Sequence, residues 1–289
     1  MRLSSSDLNA VEVETMGLDK AGIVASGIKS GHYAYFLKRG VLRISFHETP
    51  FEARPGDLLW LGAGLPRKLV SDGPAEWILL RIRHRCFAAA NAADRVGMEL
   101  LLRLGRLSRT DPCLPLGRPT AAKAGALAEE LVRWDWDDPS APAAKKGLVL
   151  QLLAALGSDS TLRNHLPAFP PRAPRMERVE DALSLMETRA GELEGTHDLA
   201  RRLGLSRSSL YRLFRDNGLP SPARMLEQTR LEIAERALRA TDDTVLSVAM
   251  ASGFGSLSSF YRAYRRNHGR TPGARRRARP RESGESWTP

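Results

Sequence analysis

One stretch of this chain is written twice. Ser209-Leu210-Tyr211-Arg212-Leu213-Phe214-Arg215 aligns without a gap on Ser259-Phe260-Tyr261-Arg262-Ala263-Tyr264-Arg265, an offset of fifty residues that Ser221-Pro222 and Thr271-Pro272 also keep. Ahead of each copy a short helical pattern ends in glycine, "DLARRLG" at Gly204 and "SVAMASG" at Gly253. A helix, a glycine turn and a second helix form a helix-turn-helix, whose second helix lies in the major groove of DNA. Two such units in tandem restrict the C-terminal part of the chain to an all-helical domain with two reading heads.

Helical facing separates core from readers. Leu210, Leu213 and Phe214 fall on one stripe at spacings of three and four, and Phe260, Ala263 and Tyr264 repeat it. The opposite stripe carries Ser208, Tyr211, Arg212 and Arg215 in the first copy and Ser258, Tyr261, Arg262 and Arg265 in the second. Arginine can fork onto guanine O6 and N7, serine can donate or accept, and tyrosine can reach a phosphate or stack on a base methyl. Arg207, nearer the helix start, is the candidate for backbone contact, and Ser209 completes the first head's candidate set. The competing reading of each stripe is the solvated face of an ordinary bundle; repetition with matched polarity argues against it.

Charge points the same way. From Thr196 to Arg279 there are seventeen arginines, no lysine and seven acids, a net charge of +10, whereas the other 205 residues balance at +1. A compact basic segment is the electrostatic footprint of a polyanion partner. Arginine richness from a GC-rich genome would not explain the asymmetry. Between the copies, Ser221 is a good N-cap with Pro222 at the first helical position, and the helix can run to about Arg239. Such a rod of about 27 Å holds two heads near one DNA turn, about 34 Å, apart.

These motifs resemble the DNA-binding domain of the AraC/XylS family of bacterial transcription regulators. "DLARRLGLSRSSLYRLFR", "SPARMLEQTRLEIAERAL", "VAMASGFGSLSSFYRAYRR" and "GRTPGARR" follow the family's order and spacing over about eighty residues. One departure is "NGLPSP", where Gly218 stands one position early in the family's Gly-x-Ser-Pro turn. By resemblance the base-reading positions are Ser208, Tyr211 and Arg212 in the first copy and Leu257, Ser258, Tyr261 and Arg262 in the second. The resemblance further implies double-stranded promoter DNA as partner, RNA polymerase as a further partner, a homodimer, activation rather than repression, and a front half made of a cupin-like sensor barrel followed by dimerising helices.

The front half reads compatibly. From about Ile23 to Arg85 short strands alternate with turns, at Arg39-Gly40 and at Pro55-Gly56-Asp57 before the strand Leu58 to Leu61. From Ala92 to Gly157 the periodicity becomes helical. The expected fold is α+β: an N-terminal β-barrel with following helices over residues 1–160, a proline-rich linker over 161–175, a double helix-turn-helix domain over 176–279, and a tail over 280–289. His32, Tyr35, Arg43 and Trp60 are the candidate effector contacts, a sugar being the guess by resemblance; Trp60 and Trp77 suit stacking on a sugar face and suit a core equally.

Other functions fare worse. A metallocupin enzyme needs three or four N/O ligands converging on one ion, but His32, His47 and His84 contain no His-x-His pair, and Arg67 stands where such enzymes often carry histidine. No metal, cofactor or catalytic residue is therefore expected. A DNA-processing enzyme lacks an evident carboxylate cluster or nucleophile-base pair, and an architectural DNA binder has no use for a barrel. Cys86 and Cys113, the only cysteines, leave no structural zinc spacing and suit a reducing compartment. With no signal-peptide layout and no eighteen-residue apolar run, the expected location is the cytoplasm, without membrane association.

Overall fold

The computed structural model describes residues 10–27, 30–46, 49–63, 65, 67–87, 91–134, 140–167 and 176–277. Its front half contains β1 (Val11–Leu18), β2 (Gly22–Gly27), β3 (His32–Arg39), β4 (Leu42–Phe46), β5 (Thr49–Ala53), β6 (Leu58–Leu61), β7 (Arg67–Ser71) and β8 (Ala75–Ile82). The α+β class is as expected, but the barrel is not closed. The strands form two four-stranded antiparallel sheets, ordered β1-β8-β3-β6 and β2-β7-β4-β5, and no ladder joins them among the described residues. Side-chain burial between two inner faces substitutes for ladder closure. The strand reading began too late, because β1 lies ahead of Ile23 and pairs with β8 from Val11↔Ile82 to Leu18↔Ala75.

Period-two alternation explains what fills the space between the sheets. Tyr33, Tyr35 and Leu37 of β3, Leu59 and Leu61 of β6, Leu42 and Ile44 of β4, Leu69 of β7 and Trp77 of β8 form one inner cluster. The intervening residues of the first sheet, including Ala34, Phe36, Leu58, Trp60 and Leu80, turn outward onto helices. Those helices are α1 (Ala92–Leu107), α2 (Arg118–Arg133) and α3 (Ala141–Ser158), followed by the short α4 (Ser160–His165). Both faces of β3 are thus covered, which is why "HYAYFL" is buried throughout. Of the expected linker, residues 168–175 lie outside the described residues, as do His47 and the tail over 280–289.

The C-terminal part is all helical: α5 (Met176–Arg189), α6 (Thr196–Arg202), α7 (Arg207–Asp216), α8 (Pro222–Ala240), α9 (Val245–Ala251), α10 (Leu257–His268) and α11 (Pro272–Arg277). The connecting helix α8 begins at Pro222 with Ser221 as its side-chain cap and, at 19 residues, spans about 28 Å. Its first turns, through Met225 and Leu226, pack with Leu210, Leu213 and Phe214 in a core continuous with that of the front half. Its later turns, through Leu231, Ala234 and Leu238, pack with Val248, Phe260 and Tyr264 in a separate core. One helix therefore fixes both heads.

Two buried carboxylates join the halves. Glu232 of α8 accepts hydrogen bonds from the backbone N–H and the hydroxyl of Ser30, both at 2.6 Å, pairs with Arg81, and lies 3.6 Å from Arg83. Glu12 bridges the same two arginines from β1, at 3.3 and 3.0 Å. Glu187 of α5 accepts from the backbone N–H of His84, 3.0 Å, and of Arg85, 2.9 Å, in the 3-10 turn after β8. Burial opposes ionisation of Glu187, yet His84 and these backbone donors hold its pKa below the usual carboxylate range.

Candidate nucleic-acid interface

The two second helices are built alike from their first residue. Ser206 caps α7 by accepting from the Ser209 N–H at 3.1 Å, and Ser256 caps α10 by accepting from the Ser259 N–H at 3.1 Å, again fifty residues apart. The caps recruit the side chains as well: Ser206 Oγ donates to Ser209 Oγ at 2.8 Å, and Ser256 Oγ donates to Ser259 Oγ at 3.1 Å. The Ser209 hydroxyl is thus engaged in the cap, and the Ser208 hydroxyl also lies within hydrogen-bond distance of Ser206 Oγ, 3.0 Å. Past the caps, Leu210, Leu213 and Phe214, and likewise Phe260, Ala263 and Tyr264, are buried as the facing argument requires.

The outer stripes are open. Ser208, Arg212 and Arg215 are exposed on α7, with Tyr211 half-buried; Ser258, Tyr261, Arg262 and Arg265 are exposed on α10, with Leu257 half-buried. Arg207 reaches back over the Tyr211 ring, 5.6 Å from its centroid, a cation–π contact that orients both side chains. Gly218 ends α7 with its N–H on the Arg215 carbonyl at 3.0 Å, whereas α10 runs on to His268 and ends at Gly269. The early glycine therefore shortens the first reading helix relative to the second.

Helix α10 is held by polar ties to α8. Arg266 donates to Glu227 at 2.6 Å, Asn267 donates to Gln228, and the Tyr264 hydroxyl donates to Glu235. Burial works to raise the Glu235 pKa, but the Tyr264 hydroxyl and Arg239 outweigh it and lower it to about 2.

The candidate effector residues are scattered. Tyr35 lines a cavity of about 630 Å³ between the sheets, together with Tyr33, Trp77 and Arg81. Trp60 and His32 face the other way, into the helix-covered core, with His32 Nε2 3.2 Å from His84 Nε2. Strand parity is the reason: Trp60 lies between Leu59 and Leu61, which take the inner face. Arg43 points to solvent and pairs with Glu52 at 2.8 Å and with Asp72. Of the four, only Tyr35 reaches the cavity. Glu235 and Arg239 of α8 with His268 of α10 also line it, a contribution from the other half that no strand pattern signals. Trp77 Nε1–H is buried there without an acceptor among the described residues.

No group of three or more His, Cys, Asp or Glu arranged for a metal ion occurs among the described residues. Burial pushes the thiols of Cys86 and Cys113 up to about 12, which makes both poor nucleophiles. No described helix is long and apolar enough to cross a membrane.

Comparison with known proteins agrees with this geometry. Residues 199–278 match a family model described as a helix-turn-helix domain. A helix-turn-helix transcriptional regulator of Mycobacterium tuberculosis is 36% identical over 90 residues, 31% of this chain and 35% of that protein. The raffinose operon regulatory protein RafR of Pediococcus pentosaceus is 37% identical over 75 residues, 26% of this chain and 27% of its own. The transcriptional activator RhaS of Escherichia fergusonii is 29% identical over 135 residues, 47% of this chain and 46% of its own. The chain thus spans about a quarter to a half of the length of these relatives. The solved structure of ToxT from Vibrio cholerae shares the fold over 92% of this chain and 98% of that one, with a TM-score of 0.59 at 12% identity. Over residues 199–278 the chain is thus similar to the helix-turn-helix domains of these transcription regulators.

Proposed function

We propose that this protein is a sequence-specific DNA-binding transcription regulator whose front half senses a small organic molecule. The observation that carries the reading is the matched pair of outward stripes, Ser208-Tyr211-Arg212-Arg215 and Ser258-Tyr261-Arg262-Arg265, on two helices with the same serine cap. Each stripe enters a major groove, and the rod between them sets the two grooves about one helical turn apart. Residues 1–160 form the sensing and dimerising part, 176–279 the reading part, 161–175 the linker and 280–289 the tail. The location is the cytoplasm. RNA polymerase is the further partner and activation the direction of control, in keeping with the relatives named as activators.

The inter-sheet cavity is the effector site. Tyr33, Tyr35 and Trp77 offer ring faces, Arg81 and Arg239 offer charge, and the volume suits a sugar or similar polar metabolite. A relative named for the raffinose operon favours a sugar.

The test is binding of variants to operator libraries mutated one half-site at a time. Arg212→Ala relaxes preference in one half-site and Arg262→Ala in the other, each at a cost of about 1 to 3 kcal/mol on the cognate site. If both relax the same positions, or neither alters preference, the two-headed reading fails.

A further inference from the structure

The groove beside the first reading helix is not built by the C-terminal half alone. Ser208, Tyr211, Arg212, Arg215 and Gly218 line a groove of about 700 Å³ together with Arg109, a residue of the front half just past α1. The exposed Arg109 guanidinium donates through Nη2 to the Gly218 carbonyl at 2.8 Å, which pins it beside the C-terminal end of α7. Arg106, one turn earlier, packs across Gly218 so closely that a Cβ there would overlap its side chain. Arg224, in the first turn of α8, stands near enough that desolvation and the charges of Arg106 and Arg224 together lower the Arg109 pKa from its ordinary value. Among the described residues, no carboxylate pairs with Arg106, Arg109, Arg212 or Arg224.

Four arginines gathered without a paired carboxylate among the described residues repel one another, and the fold keeps them together across the junction of its two halves. Other arginines of this half are paired, as at Arg239–Glu235 and Arg266–Glu227, and in the groove itself Arg215 pairs with its neighbour Asp216 at 3.3 Å. An anion relieves the repulsion, and the groove's position says which anion. A helix seated in a major groove is flanked by the phosphate backbone on either side, so a cation held beside the end of α7 stands at backbone height while Arg212 points at the bases.

We propose that Arg109, supported by Arg106 and Arg224, is a DNA-phosphate contact, so that the sensing half completes the DNA interface at the first head. This rests on the reading of α7 as a base reader. It also gives the front half a direct means of control. Any shift of the sensing half against α7 moves a phosphate ligand, with no need to distort the helix-turn-helix itself.

The test uses the full-length chain, its selected operator duplex and a random-sequence duplex, with affinity measured across a series of salt concentrations. Arg109→Ala is expected to weaken both duplexes about 3- to 10-fold, to make the log–log salt slope shallower by about 0.9, and to leave base preference unchanged. Arg109→Lys keeps the charge and is expected to restore most of the slope. Arg262→Ala, in the other head, is the control for the underlying reading, and it changes base preference. If Arg109→Ala leaves affinity and slope as they were while Arg262→Ala alters preference, the phosphate contact is overturned and the regulator reading stands. If Arg109→Ala tightens DNA binding, the bond to Gly218 is a brake and the proposal is likewise overturned. If inorganic phosphate or pyrophosphate raises the melting temperature of wild-type protein but not of Arg109→Ala, with the DNA slope unmoved, the site serves a free anion instead. If the wild-type chain binds neither duplex, the regulator reading itself fails.

Discussion

Replacing Glu232 by alanine should reveal how strongly the two halves are joined. Its carboxylate is almost fully buried, with a side chain 7% exposed, and it receives both Ser30 donors, Arg81, Gln228 and the more distant Arg83. Removing one partner of a buried ion pair costs about 3 to 5 kcal/mol, because the other charge is left desolvated. Here Glu12 stays behind on both arginines and is itself about one-third exposed, so part of the charge remains compensated. The expected cost is therefore near the lower limit, about 3 kcal/mol. Urea unfolding of the full chain measures it. The same substitution in a fragment spanning residues 172–279, where Ser30, Arg81 and Arg83 are missing, should cost less than about 1 kcal/mol. Adding Arg81→Met to Glu232→Ala should recover about 1 to 3 kcal/mol relative to the sum of the single changes. Equal losses in fragment and full chain would place the energy inside α8 and refute the idea of an inter-half clasp.

Three further outcomes follow from named contacts. The 172–279 fragment should bind DNA with affinity that falls steeply as salt rises, and residues 1–165 should not bind on their own; gel shift at two ionic strengths decides this. Gly253→Ala should destabilise far more than Gly204→Ala, since both turns have positive φ, +89° and +63°, but a Cβ at Gly253 meets the Ala190 carbonyl oxygen at 2.7 Å while one at Gly204 meets nothing. The expected losses are more than about 3 and about 1 to 2 kcal/mol, read from melting temperatures. Glu235, with its pKa lowered to about 2, stabilises the fold above its ordinary pKa of 4.5 and loses that contribution as pH falls from 4.5 towards 2, so Glu235→Gln should lower the melting temperature at pH 6 and make little difference near pH 2.

The heads were legible because helical periodicity reports facing directly. Leu210, Phe214, Phe260 and Tyr264 had to be buried once the stripe was drawn, and they are. The caps Ser206 and Ser256 keep the fifty-residue offset in plain sight, whereas the bonds from their hydroxyls to those of Ser209 and Ser259 could not be read from the spacing. The front half was harder for a physical reason. In a sheet covered on both sides, apolar residues occupy both parities, so the text of β3 and β6 does not say which face meets the other sheet. Trp60 and Trp77 were equally plausible wall residues, and only the position of the helices sends Trp60 away from the cavity and leaves Trp77 in it. The contacts between the halves had no local signal at all, since Ser30 and Glu232 are 202 residues apart.

Those contacts bear on how the proposed sensor would transmit. An effector shifts the protein only by the difference between its affinities for two arrangements, so it must touch something that differs between them. The cavity meets that condition, because part of its lining belongs to the sheets while Glu235, Arg239 and His268 belong to α8 and α10. Glu232, which holds α8 to the front half, lies one helical turn from Glu235, which ties α8 to Tyr264 of the second reading helix. An occupant that touches Glu235 or Arg239 therefore contacts the helix that carries both the inter-half clasp and the brace of the second head. Tyr264→Phe removes the brace's hydroxyl without changing a residue that lines the cavity. It should leave effector affinity within about twofold while reducing the effector's influence on DNA binding, a coupling normally of about 1 to 3 kcal/mol. Equilibrium DNA binding with and without effector, in wild type and variant, measures both quantities. An unchanged coupling would mean that the signal leaves the cavity by another route than α8 and α10.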